Sequence, residues 1–315
     1  MRPIQLGGVI PANLMPFRDD YAIDEAAYRR HLEWLLGVEG VGGVTCNGHA
    51  AEVATLSRDE RRRAVAIAVE VAAQRVPVIA GIYAEGARDA VELARDAARE
   101  GADALLLFPL NTLVFGGTDE MVYRHFAAVA EAVDLPIVLF LYPAWTRMQY
   151  APALLERLLH EIPHIVAIKE WSLDLNVYER TLGLVRSLTR PVSLLSSFST
   201  HLLPSLLIGA DGILSGHGSV VADLHASIWR HVQAGEWDAA RRVYGRLQEL
   251  TRAVYREPFA QMYARMKAQL VMLGRLPRAV SRPPILPVAA DEERSLREAL
   301  VRAGLMEAVV APHAP

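Results

Sequence analysis

Eight short apolar runs alternate with helix-patterned segments along most of the chain. They are GGVIPANLMP (7–16), VGGVTC (41–46), VPVIAGI (76–82), ADALLLFP (102–109), LPIVLFLY (135–142), HIVAIKE (164–170), PVSLLSS (191–197) and DGILSG (211–216). Each is nearly continuous in Val, Ile, Leu and Ala, the pattern of parallel strands covered on both faces. The segments between them carry helix start signals. Ser57 and Glu60 in SRDE have the spacing of a capping box, and Thr118 followed by two acids suits the positive end of a helix dipole.

A weak internal repeat runs through this alternation. Pro77, Pro136 and Pro191 each sit near the start of a run, at intervals of 59 and 55 residues. A GAD turn precedes two of the runs, at Gly101–Asp103 and Gly209–Asp211. A repeating unit of two strand–helix pairs fits a closed (β/α)8 TIM barrel better than an open doubly wound sheet. The barrel is expected over 1–221. Beyond the eighth run only helical patterns and the proline-rich PRAVSRPPILP (277–287) follow, so 222–315 reads as a C-terminal helical extension. Its apolar stretches VYGRLQEL and AQLVMLG would be unusual on a monomer's surface, which points to subunit contacts.

Composition narrows the class. The 315 residues are 52% hydrophobic and 22% charged, enough for a large core, and the net charge of −3 gives no nucleic-acid footprint or polybasic membrane patch. The lone Cys46 rules out an intramolecular disulfide and a cysteine-based zinc cage. No carboxylate cluster suggests a metal site, and no cofactor is expected. No leader-like or membrane-length apolar run is seen, so a cytoplasmic protein is expected.

In such a barrel, chemistry belongs at the C-terminal strand ends. Lys169, next to last in IVAIKE (165–170), is expected on the same strand face as Ile165 and Ala167. Facing inward it would sit above an apolar layer, where desolvation favours the neutral, nucleophilic amine. As an isolated strand-end lysine it would simply reach for water. His49 in a loop is open to the same two readings, as brace or catalyst. Ser196, Ser197, Ser199 and Ser215 could bind a polar substrate, and Ser199 could equally cap a helix.

Five segments in order resemble the dihydrodipicolinate synthase / N-acetylneuraminate lyase family: EVATLSRDER (52–61), VPVIAGI, GADALLLFP, AIKE (167–170) and GADGILS (209–215). REPFAQMYARMKAQLVMLG (256–274) is similar to its C-terminal helix. The resemblance implies a (β/α)8 barrel with a helical extension, usually tetrameric. It also implies that Lys169 forms a Schiff base with pyruvate or another 2-keto acid.

The departures matter equally. The carboxylate-binding loop G-[TS]-T-G-E of the family reads Gly48-His49-Ala50-Ala51-Glu52, without hydroxyls, so backbone N–H groups around His49 and Ala50 would have to hold the keto-acid carboxylate. The relay tyrosine after strand 4 falls at Leu110 or Asn111. The strand-5 catalytic tyrosine is Phe140, and the arginine that grips the synthase's second substrate is Trp145. Tyr142, two residues past Phe140 and on the same strand face, is the candidate replacement phenol. Trp145 would wall a more apolar pocket, and Arg147 either restores the charge or is solvated.

The expected function is therefore a Schiff-base lyase, an aldolase or a dehydratase of a 2-keto-3-deoxy acid. Lys169, Tyr142 and His49 are its catalytic candidates. Gly48, Ala50, Asn111, Phe140, Trp145 and Ser215 are its substrate contacts, and a homotetramer its assembly. The alternatives are the synthase itself with a rebuilt relay, or a non-catalytic keto-acid binder.

Overall fold

A computed structural model describes residues 4–307. Eight parallel strands form the barrel: β1 (Gly8–Pro11), β2 (Val44–Cys46), β3 (Val78–Ile82), β4 (Ala104–Leu107), β5 (Ile137–Leu141), β6 (Ile165–Glu170), β7 (Ser193–Ser196) and β8 (Gly212–Ser215). Their ladder order is β1-β8-β7-β6-β5-β4-β3-β2. Two parallel bridges, Val9 with Val41 and Ala12 with Thr45, close the remaining seam between β1 and the β2 segment. The expected TIM barrel is what forms.

Helices α1 (Glu25–Leu36), α2 (Arg58–Ala72), α3 (Ala87–Arg99), α4 (Asp119–Ala132), α5 (Pro152–Glu161), α6 (Leu175–Ser187), α7 (Leu202–Ile208) and α8 (Gly218–Gln233) follow the strands in turn. Ser57 and Glu60 form the capping box of α2, and Thr118 caps α4 by accepting from the Met121 N–H. The GAD turns have a common purpose. Asp103 accepts from the Val78 N–H at 2.9 Å and Asp211 from the Leu194 N–H at 2.7 Å, so each carboxylate stitches its strand to the preceding one.

The two faces of the sheet feed two cores. Inside the barrel, Ile10, Leu106, Val138, Phe140, Ala167, Leu195 and Leu214 pack together; outward residues such as Leu105, Leu139 and Ile168 meet the helices. Strand alternation therefore sends Phe140 and Tyr142 inward together, and Ala167 and Lys169 likewise.

α8 kinks at Val221 and is followed by α9 (Trp237–Val254), α10 (Met262–Met272) and α11 (Ala290–Arg302). Their apolar stretches are covered within the chain: Leu247, Leu250 and Leu270 are all buried against it. Exposed apolar side chains are scattered, among them Leu207, Trp237 and Leu286, but the most open is Phe115, 92% exposed on the loop after β4, with Val114 beside it and Met121 in the first turn of α4.

Candidate active site

β6 carries Lys169 into the barrel mouth, where it is 4% exposed and its Nζ lies 4.1 Å from the centroid of the Phe140 ring. Burial lowers its pKa from 10.5 to about 7, since the apolar surroundings disfavour the ammonium. The next residue, Glu170, faces the other way. Its carboxyl accepts from the Ser172 N–H at 3.2 Å and burial pushes its pKa up to about 7.

His49 begins a short 3-10 turn (His49–Ala51) just past β2. The turn's own hydrogen bonds come from the Ala51 and Glu52 N–H groups, which leaves those of His49 and Ala50 outside its ladder. Gly216 packs closely behind it: a Cβ there would stand 3.2 Å from the Ala50 methyl, a tight contact. The His49 ring sits among Phe108, Phe140, Tyr142, Tyr83 and Trp171, with centroids 5.0–6.3 Å away. This burial, with the Lys169 charge adding to it, pushes the imidazole down to about 3. Nε2 of His49 is hydrogen bonded to the Tyr142 hydroxyl. Burial raises the Tyr142 phenol well above its ordinary range, so the pair is neutral at physiological pH.

The loop is anchored from below. Glu52, in left-handed backbone, pairs with Lys267 of α10 and accepts from the Arg282 N–H at 2.9 Å. Lys267 also donates to the Val280 carbonyl at 2.7 Å. The extension thus holds the segment on which His49 stands.

Two chambers meet above Lys169. The inner one, about 40 Å³, is bordered by Lys169, Phe140, His49, Ala50, Ser197 and Gly216, among others. On the same footing a single water needs about 10–15 Å³, so this chamber takes only a few small groups. The outer cleft, about 480 Å³, is bordered by Trp145, Phe259, Leu173, Ser199, Thr200 and Glu257, and the two share Trp171, Ser197 and Tyr255.

The remaining sequence candidates separate clearly. Trp145, 65% exposed, stands on the outer cleft. Ser215 lies beneath the floor, its hydroxyl 3.0 Å from that of Ser199. Asn111 borders neither chamber and donates to Glu85 at 2.7 Å. Arg147 is exposed, in left-handed backbone, and borders a different crevice with Met148 and Tyr150.

Sequence reasoning passed over Trp171 and Tyr255. Trp171 was legible, because it continues the inward parity of Ala167 and Lys169. Tyr255 comes from the end of α9 and no local pattern marks it; its hydroxyl lies near Ser199, Ser215 and His217. Among the described residues, no group of three or more His, Cys, Asp and Glu side chains could hold a metal ion.

The chain matches the Dihydrodipicolinate synthetase family over residues 5–303. The 4-hydroxy-tetrahydrodipicolinate synthase of Methanopyrus kandleri is 34% identical over 306 residues, spanning 96% of this chain and 98% of that protein. The protein of the same name from Methanothrix thermoacetophila is 35% identical over 298 residues, 94% and 96% of the two chains. The crystal structure of dihydrodipicolinate synthase from Aquifex aeolicus superposes with a TM-score of 0.86 at 27% identity, covering 95% of this chain and 99% of that one. With its barrel, its buried strand-6 lysine and a match along nearly the whole sequence, this chain belongs to the dihydrodipicolinate synthetase family.

Proposed function

We propose that Lys169 is the Schiff-base-forming residue of a lyase that acts on pyruvate or a 2-keto-3-deoxy acid. One observation carries the reading: a lysine amine held near a pKa of about 7 at the floor of a chamber sized for a few heavy atoms. The free amine attacks the keto carbon, the carbinolamine loses the keto oxygen as water, and the imine then accepts the electron pair released when a bond at the neighbouring carbon breaks. For an aldol cleavage, the C4 hydroxyl gives up its proton as the C3–C4 bond breaks. In the reverse direction, loss of a C3 proton yields the enamine.

Positioned acid–base groups must move these protons, and the His49–Tyr142 pair is the one we assign. His49 borders the inner chamber, so its neutral imidazole donates or takes up the proton and the Tyr142 phenol hydrogen bonded to it relays it. The N–H groups of His49 and Ala50 are assigned to the keto-acid carboxylate, Gly48 to the entry of that turn, and Ser215 to the floor through Ser199. We favour a lyase other than the synthase because, among the described residues, no guanidinium borders the cleft to meet a second carboxylate: Trp145 stands in the arginine's position, and Arg147 borders another crevice. A cytoplasmic homotetramer, with residues 222–315 as its helical extension, completes the proposal.

Pyruvate with borohydride, followed by intact mass, tests the central step. The expected result is a stable adduct that disappears in Lys169→Ala. An adduct that survives the substitution removes Lys169 from the mechanism. Efficient product formation from pyruvate and aspartate semialdehyde would return the chain to synthase activity.

A further inference from the structure

Resting on the Schiff-base reading above, we infer that the outer cleft selects a neutral, planar aryl aldehyde as the second carbonyl partner of the lysine-bound keto acid. The walls of the cleft are rings. Trp145 and Trp171 meet at 6.3 Å, Trp171 and Phe259 at 6.0 Å with planes 34° apart, and Phe259 stacks on Tyr255 at 5.6 Å and 22°. Such surfaces bind a flat π-system by offset stacking and edge contacts. Trp145 leaves most of its indole open at the mouth, so one face of the slot is exposed aromatic surface.

Charge points the same way. Among the described residues, neither Lys nor Arg borders the outer cleft, and the charged side chain on it is the carboxylate of Glu257. An aldehyde bearing a carboxylate or phosphate would meet like charge with no cation to offset it. Ser197, Ser199 and Thr200 supply only neutral donors and acceptors.

The cleft joins the inner chamber through Trp171, Ser197 and Tyr255, so a ring seated among the aromatics presents its aldehyde at the seam above Lys169. There the enamine carbon C3 bonds to the aldehyde carbon, the carbonyl π-pair becomes an alkoxide, and that oxygen takes a proton equivalent to the one lost from C3. Water then hydrolyses the imine, giving a 4-aryl-4-hydroxy-2-oxobutanoate and the free lysine. The reverse sequence cleaves the same acid, and no oxidant or reductant is needed.

The test uses the full-length enzyme with pyruvate and one of four aldehydes: benzaldehyde, acetaldehyde, glyoxylate or aspartate semialdehyde. We expect kcat/KM for benzaldehyde to exceed that for either carboxylate-bearing aldehyde by about 100-fold, and that for acetaldehyde by at least about 10-fold. Trp145→Ala should raise KM for benzaldehyde about 10-fold while pyruvate adduct formation, in a chamber Trp145 does not border, persists. A second measurement needs no turnover. Enzyme already reduced onto pyruvate is titrated with benzaldehyde by tryptophan fluorescence, and saturable quenching should weaken in Trp145→Ala. Absence of any pyruvate adduct overturns the Schiff-base reading and this inference with it. An intact adduct combined with equal or better use of glyoxylate, or with no effect of Trp145→Ala on quenching and KM, overturns the aryl assignment alone.

Discussion

The ammonium position of Lys169 lies 4.1 Å from the Phe140 ring centroid, in a chamber that no carboxylate among the described residues borders. A π-face offers the charged form partial support, but desolvation outweighs it and the amine rests near a pKa of about 7. The rate of pyruvate adduct formation should therefore rise about tenfold per pH unit below 7 and level off above it, since only the neutral amine attacks. The other groups at the mouth do not titrate in this window: His49 is pushed down to about 3, and the Tyr142 and Tyr255 phenols are raised. Glu170, pushed up to about 7, faces the opposite side of β6, so Glu170→Gln should leave the midpoint in place. A midpoint near 10 in stopped borohydride trapping would contradict the buried-amine argument.

The same burial costs stability, and the sign follows from linkage. An unfolded lysine keeps its proton up to about 10.5, whereas the folded one loses it near 7, so the unfolded state binds more protons between those values. The penalty is therefore full below pH 7 and fades as pH rises towards 10.5. Lys169→Met, which keeps the volume and removes the charge, should stabilise the protein at pH 6 by on the order of a few kcal/mol. The gain should shrink at pH 9. Chemical denaturation at the two pH values measures both, and a destabilised variant would mean that the amine has a partner in solution.

Tyr142→Phe keeps the ring against Phe140 and removes only the hydroxyl that meets His49. Turnover should fall by about 10²–10⁴-fold, the range for a positioned acid–base group, while pyruvate trapping is largely retained. His49→Ala should lower turnover by a similar factor, and the double variant little further, because the two act as one unit. Additive losses would assign the residues to separate steps.

The barrel was legible because its physics is local. Parallel strands buried on both faces show as unbroken apolar runs, and Asp103 and Asp211 repeat because each makes the same strand-start hydrogen bond. Lys169 was legible as a polar end to such a run. What could not be read was everything decided across the mouth. Tyr255 reaches the site from the end of α9, and Asn111 turns to Glu85 because the loop after β4 leads it there. The apolar pattern of α9 and α10 announced burial, but not that the covering partner is this same chain.

Assembly should depend instead on the loop after β4. Phe115, at 92% exposure with Val114 and Met121 nearby, is an apolar group with nothing of its own chain over it, as expected of a subunit contact. Phe115→Asp should move the species seen by light scattering from an oligomer towards 34.7 kDa without loss of helical circular dichroism. An unchanged mass would place the interface elsewhere.

The last prediction concerns the brace beneath His49. Glu52 and Lys267 are 1% and 0% exposed at their side chains, and they link the strand-2 loop to α10. Breaking a buried pair by removing one member strands the other charge, a loss of about 3–5 kcal/mol, whereas replacing both with neutral groups of similar volume is often close to neutral. In Lys267→Met the carboxylate keeps only the Arg282 N–H as a short-range donor, so the variant should be destabilised by that amount. The Glu52→Gln/Lys267→Met double variant should recover much of the loss. Function separates bracing from mere stability. If Glu52 sets the position of the His49 and Ala50 N–H groups, the double variant should still show a raised KM for pyruvate after stability is restored, with the pH midpoint of adduct formation unchanged because Lys169 has not moved. Recovery of both stability and KM would mean that the pair holds the fold without aiming the loop.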